Sequence, residues 1–196
     1  MRRAIIIAAT IVVAACRAEA RDASVGDKVP KTLGLGHAAS AAEVASLDID
    51  VSPNGAGLPP GSGTPEQGAT IFATTCSPCH GKNGEGMAPA YPQLVGGPKG
   101  AFNFATDPKI PRTIGNYWPY STTLFDYIRR AMPLTAPGSL TPDQTYAVAA
   151  YLLSREGLVP AGATLDARSL PAIQMPARNH FVPDDRRGST GGANVR

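Results

Sequence analysis

Residues 76–80 read Cys76-Ser77-Pro78-Cys79-His80, a C-x-x-C-H motif. Two thiols at this spacing can add to the two vinyl groups of a haem. The histidine that follows is then placed to bind the iron as its proximal ligand. The pentapeptide therefore predicts one covalently attached haem c, held by Cys76 and Cys79, with His80 as an axial iron ligand. Half of a zinc site is the competing reading, but zinc needs four ligands, usually with a second Cys/His pair at short spacing. The remaining candidates, Cys16, His37 and His180, are lone and scattered. A thioredoxin-like redox pair would be expected near a βαβ pattern, and the sequence shows none. No second C-x-x-C-H occurs.

The chain has 196 residues, with 21 Gly, 19 Pro and only 6% aromatics. That composition suits one small, loop-rich domain that borrows hydrophobic mass from a cofactor, with extensions on either side. Met1-Arg2-Arg3 followed by the apolar run 4–15 reads as an export signal, too short to anchor a span. Two processing routes fit. Ala18-Glu19-Ala20 is an A-x-A cleavage site, whereas residues 13–16 resemble a lipobox with Cys16 as the lipidated residue. A signal peptide over 1–20 sends the mature chain to the bacterial periplasm, soluble or lipid-anchored through Cys16. The formal charge of +3 falls to about +1 once Arg2, Arg3, Arg17 and Glu19 are removed. No dense Lys/Arg face is visible, which argues against a nucleic-acid partner.

Residues 21–63 read as a leader and linker, closing on the turn-rich run SPNGAGLPPGSG at 52–63. A short helix is expected over 40–46, capped by Ser40 and Glu43. The main domain is expected over 64–157. It opens at Thr64-Pro65-Glu66-Gln67, a capping box with proline at the first helical position. That helix runs into the haem motif. Residues 81–100 hold six glycines and three prolines and read as loop. A second helix is expected over 123–130. A third starts at Thr141-Pro142-Asp143-Gln144, another capping box, and ends near Gly157. No useful β-alternation appears, and residues 158–196 read as an irregular tail. The fold class is therefore all-α, built around one haem.

The sixth iron position decides between electron transfer and chemistry on a small molecule. Met87 lies too close to His80 in sequence to round the haem edge easily. Met132 follows the second helix, in a loop that Pro133 stiffens and keeps from continuing as helix. Met175 sits in the tail. Met132 is the expected ligand, with Met175, a histidine or an open site as alternatives. The carbonyl of Pro89 is a candidate acceptor for the far nitrogen of His80. Tyr117, Trp118 and Tyr120 form an aromatic cluster that can pack on the macrocycle and donate to its propionates, or serve as ordinary core. Arg129 or Arg130 could pair with a propionate, face an acidic partner, or simply be solvated.

These features resemble class I cytochromes c over 64–157: a helix entering C-x-x-C-H, a proline loop, a methionine loop and a closing helix. Gly68 and Phe72 opposite Tyr151 match the helix crossing of that family. Longer stretches resemble the SoxD-type cytochrome subunits of sulfur-oxidising molybdenum dehydrogenases. They are GLPPGSGT, residues 113–120 (TIGNYWPY) leading into TTLFDYIRRAMP, APGSLTPDQTYAVAAYLL, and Gln174-Met175-Pro176-Ala177-Arg178. Longer members carry a second haem domain, so this chain resembles a monohaem version. The resemblance implies a molybdenum dehydrogenase subunit as electron donor and another cytochrome c as acceptor.

Three functions compete. An electron-transfer subunit needs a six-coordinate iron and no catalytic base, and the sequence offers none. A stand-alone haem enzyme, thiosulfate-oxidising or peroxidase-like, needs a labile sixth ligand. A sensor or docking module would use the leader and tail to wrap a partner.

Overall fold

A computed structural model describes residues 33–182. Its helices are α1 (Ala41–Leu47), α2 (Pro65–Ile71), α3 (Ser77–His80), α4 (Ile114–Tyr117), α5 (Ser121–Ala131) and α6 (Pro142–Arg155). One two-residue pair, β1 (Ser62–Gly63) and β2 (Leu165–Asp166), joins them antiparallel, with Ser62 opposite Asp166. The signal peptide and lipobox expected over 1–20 lie outside the described residues, as do 183–196. Residues 33–40 end the N-terminal unit Met1–Ser40, and they are exposed without helix or strand. No described helix is long and apolar enough to cross a membrane.

The capping boxes expected at Thr64 and Thr141 form. The Thr64 hydroxyl accepts from the Gln67 N–H at 3.3 Å, and the Gln67 side chain accepts from the Thr64 N–H at 2.9 Å. Thr141 and Gln144 repeat the arrangement at 3.2 and 2.9 Å. After α2 the chain widens into a π-helical turn over Phe72–Cys76, in which the Ser77 N–H reaches back to the Phe72 carbonyl. Such a turn breaks the regular ladder, and nearby hydroxyls take up carbonyls there. Thr74 donates to the Thr70 carbonyl at 3.3 Å, and Ser77 donates to the Ala73 carbonyl at 2.7 Å. The segment then continues into α3, so the haem motif rides on the end of one interrupted helix.

Helix α6 is the centre of the core. Tyr146, Ala147, Val148, Ala149, Ala150, Leu152 and Leu153 are all buried on it, as a helix surrounded by other elements must be. It ends at Gly157, whose φ of 72° is the left-handed stop expected from the sequence. Helix α2 crosses α6 with backbone in contact. A Cβ at Gly68 would lie 1.9 Å from the Ala147 carbonyl oxygen. Beside this crossing the rings of Phe72 and Tyr151 pack at 5.1 Å. On another side of α6, Phe125 of α5 meets Tyr146 at 4.4 Å.

The flanks depart from the sequence reading. Residues 49–63 and 158–180 hold no α-helix, only the β1–β2 pair and two 3-10 turns, Leu170–Ala172 and Arg178–His180, yet they carry core residues: Val51, Leu165, Leu170, Met175 and Ala177 are buried. The physical reason lies on α5. Its buried polar residues bond the flanks instead of solvent. Asp126 accepts the Val51 N–H at 2.8 Å, Thr122 donates to the Pro53 carbonyl at 3.0 Å, and Ser121 donates to the Leu170 carbonyl at 2.7 Å. The Tyr146 hydroxyl donates to the Pro59 carbonyl at 2.9 Å. Helix α5 begins two residues before the expected start because Ser121 and Thr122 take part in this clasp. Helix α4 was not expected; Asn116 holds its first turn by accepting from the Thr113 N–H at 2.8 Å.

Substituting Gly68→Ala should cost about 3 kcal/mol or more, since the new methyl meets backbone and not a yielding side chain. Urea unfolding of the haem-loaded protein reads this out; a loss below about 1 kcal/mol would contradict the crossing.

Candidate haem site

A cavity of about 470 Å³ lies against α6, within the size range of cofactor sites. Cys76, Cys79 and His80 line it from the end of the interrupted helix, and Met132 lines it from the residue after α5. Pro133 follows at once, and Met132 has left the helical region at φ −121° and ψ 147°. Met87 is 47% exposed and lines no part of the cavity, while Met175 is 3% exposed inside the core. Of the described methionines, Met132 alone shares the cavity with the C-x-x-C-H motif. Most of the remaining wall is apolar, including Phe72, Leu94, Ile114, Leu124, Ile128 and Leu152.

Burial pushes the Cys76 thiol up to about 11, with Cys79 nearby adding to the effect. Both cysteines are free thiols and not a disulfide. Burial also lowers the pKa of His80, opposed by the carbonyl of Pro92. The imidazole is therefore biased to its neutral form, the one that can ligate a metal. Its Nδ1 is buried with no completed hydrogen bond, so Pro92 acts on the ring without closing full bonding geometry. A haem fits these observations: two adjacent thiols, an imidazole with one nitrogen turned into protein, a thioether, and an apolar wall.

Pro89, the acceptor expected for His80, is exposed, and the carbonyl that acts on the His80 ring is that of Pro92. Met87 and Tyr91 pair across the turn through hydrogen bonds of 2.9 and 3.0 Å, which leaves residues 88–90 exposed at its tip. The chain returns to the cavity with Tyr91, Pro92 and Gln93. The Cys79 thiol beside Tyr91 pushes that phenol upward.

Trp118 lines the cavity, but its indole N–H donates to Thr123 at 3.0 Å and is not free for a propionate. Tyr120 does not line the cavity; its ring lies 5.2 Å beneath the Arg178 guanidinium. Arg129 donates to the Ile49 carbonyl at 3.3 Å, and Arg130 pairs with Asp126. Both arginines serve the fold. The cation at the cavity is Arg112, which the sequence reading passed over.

Glu156 was also missed. It is 8% exposed, and its carboxylate accepts the Gly96 N–H at 2.9 Å and a backbone N–H from Gly115. This ties the loop carrying Leu94 to α4, which carries Ile114, so two parts of the cavity wall hang on one side chain. A Cβ at Gly115 would lie 2.3 Å from Glu156 Oε2. An acid at a helix C-terminus opposes the helix dipole, and that was the available signal. Burial raises the pKa of Glu156 despite these bonds. The folded state therefore holds this proton more tightly than the unfolded chain. Its contribution to stability is present below the ordinary carboxylate pKa and is lost as pH rises through the folded value. Comparing wild type with Glu156→Gln by chemical denaturation across that window should show wild type losing relative stability with rising pH. Parallel curves would contradict the assignment.

The Cytochrome c family model matches residues 65–156. Among solved structures, the chain is similar to one in the crystal structure of the sulfane dehydrogenase SoxCD from Paracoccus pantotrophus. The identity is 41% and the TM-score 0.69, covering 79% of this chain and 74% of that one. A chain of the thiosulfate dehydrogenase TsdBA from Marichromatium purpuratum, in its as-isolated form, matches at 29% identity with a TM-score of 0.34. It covers 46% of this chain and 17% of that one. No curated protein matches the sequence.

Proposed function

The chain belongs to the cytochrome c family as a SoxD-like member, and we propose that it relays electrons from a molybdenum dehydrogenase of sulfur compounds to a downstream cytochrome c in the bacterial periplasm. Its class, an electron-transfer haem protein with covalently bound haem c, follows from the family. In this reading Cys76 and Cys79 would hold the haem covalently, and His80 and Met132 would ligate its iron. The single observation that carries it is the cavity in which Met132 is the one described methionine beside Cys76, Cys79 and His80. The sulfur-compound donor rests on the 41% identity to a chain of a sulfane dehydrogenase.

When bound, the haem supplies a one-electron carrier that changes charge without making or breaking substrate bonds. The protein's own residues set the terms. His80 and Met132 would both be taken up as iron ligands, so neither is left to act on a substrate. Thioether ligation and the apolar wall disfavour the more highly charged oxidised state and so raise the potential. The Pro133 stop fixes Met132 in the wall at no cost in helix geometry.

Replacing Met132 by Ala should abolish the methionine–iron charge-transfer band of the oxidised protein. It should also shift the oxidised-to-reduced ratio at fixed potential at least tenfold, about 59 mV for one electron. Met175→Ala should keep the band, because Met175 is a core residue. Retention of the band in Met132→Ala, or its loss in Met175→Ala alone, would overturn the ligand assignment. For the relay itself, sulfur substrate should reduce the haem only when a molybdenum dehydrogenase is added. Turnover of thiosulfate or sulfite by the isolated chain would favour the stand-alone enzyme instead.

A further inference from the structure

Arg112 is the one lysine or arginine among the described residues that line the cavity. It is exposed, so it stands where the cavity meets solvent. Its guanidinium lies 5.6 Å from the ring centroid of Phe104 and 5.5 Å from that of Tyr117. These two rings meet edge to face at 5.2 Å, and Phe181 of the C-terminal segment packs on Tyr117 at 5.6 Å. Stacked aromatic faces hold a guanidinium in place while leaving its edge of N–H donors open. No described carboxylate pairs with Arg112; the described arginine–carboxylate pair is Arg130 with Asp126.

A haem brings two propionate carboxylates that an apolar cavity cannot solvate. They must reach water or a donor at the rim. Three other candidates are committed elsewhere: the indole N–H of Trp118 to Thr123, Arg129 to a backbone carbonyl, Arg130 to Asp126. Among the described residues that line the cavity, Arg112 is the one cation. We propose that Arg112 clamps a propionate carboxylate of the bound haem, and that Phe104, Tyr117 and Phe181 hold the guanidinium in position for it. A planar fork facing a carboxylate is the geometry in which arginine pairs best. The C-terminal segment thereby acts on the haem through two rings and one cation, without touching the cavity. Loss of the cation leaves the propionate charge uncompensated, which favours the oxidised haem and lowers the potential.

The proposal rests on the covalent haem but not on which dehydrogenase donates electrons, so the isolated haem-loaded protein suffices. Absence of covalent haem from the wild-type protein would refute the haem reading itself, before any variant is compared. Spectroelectrochemical titration should show Arg112→Gln with an oxidised-to-reduced ratio raised at least threefold at fixed potential. Arg112→Lys should recover most of the shift. Phe181→Ala, at a 46% exposed site outside the cavity lining, should move the potential the same way by less. Lys109→Gln, exposed on the same loop, controls for loss of a surface charge. An Arg112→Gln potential indistinguishable from that of Lys109→Gln overturns the clamp, even if a partner then binds more weakly. Should Arg112→Gln fail to load haem, Phe181→Ala carries the test, and a wild-type potential there would overturn it.

Discussion

The contact between Gly68 and the Ala147 carbonyl sets the geometry that the rest of the molecule uses. With no side chain at 68, α2 lies against the backbone of α6. From there the interrupted helix runs through its π-helical turn to Cys76, Cys79 and His80. Helix α6 receives α5 on another side through Tyr146 and Phe125, and the end of α5 delivers Met132. The two candidate iron ligands are thus referenced to one central helix. A side chain at 68 would displace one ligand relative to the other without touching the cavity.

A domain this small has limited apolar mass of its own, and it recruits more from its flanks. Leu165, Leu170 and Met175 each contribute roughly 1.5–3 kcal/mol of burial, an upper range for extended-chain reference states. They can do so because α5 turns hydroxyls and a carboxylate toward the flanking backbone. Those bonds satisfy loops that would otherwise run unpaired through the interior. The segment after Gly157 is therefore part of the core and part of the cavity's surroundings. Among its described residues, Leu165, Leu170, Met175 and Ala177 turn inward.

Local signals in the chain were readable, and long-range ones were not. Thr64 and Thr141 could be read as helix starts because a capping box is complete within four residues. The haem motif is equally local. Met132 was readable because a proline beside it stops the helix and fixes where the side chain emerges. Asn116 has a shorter side chain than the usual Glu or Gln of a capping box, so α4 gave a weaker signal. Pro89 was named for His80 without Pro92 being considered, because sequence distance does not reveal the Met87–Tyr91 pairing that turns one outward and returns the other. Glu156 and Gly96 are 60 residues apart, and Ser121 and Leu170 are 49 apart. Nothing in either stretch alone announces its partner. Arg112 looked like one charge in a loop, since its seat is assembled from Phe104, Tyr117 and Phe181.

Closure of the haem by His80 and Met132 is most directly tested by proton NMR of the reduced protein with labelled methionine methyls. A methyl held over a haem face feels the macrocycle's ring current and moves far upfield. One such methyl is predicted, and it should vanish in Met132→Leu while the signals of Met87 and Met175 stay in the ordinary aliphatic range. An upfield methyl belonging to Met87 or Met175, or none at all, would contradict the account.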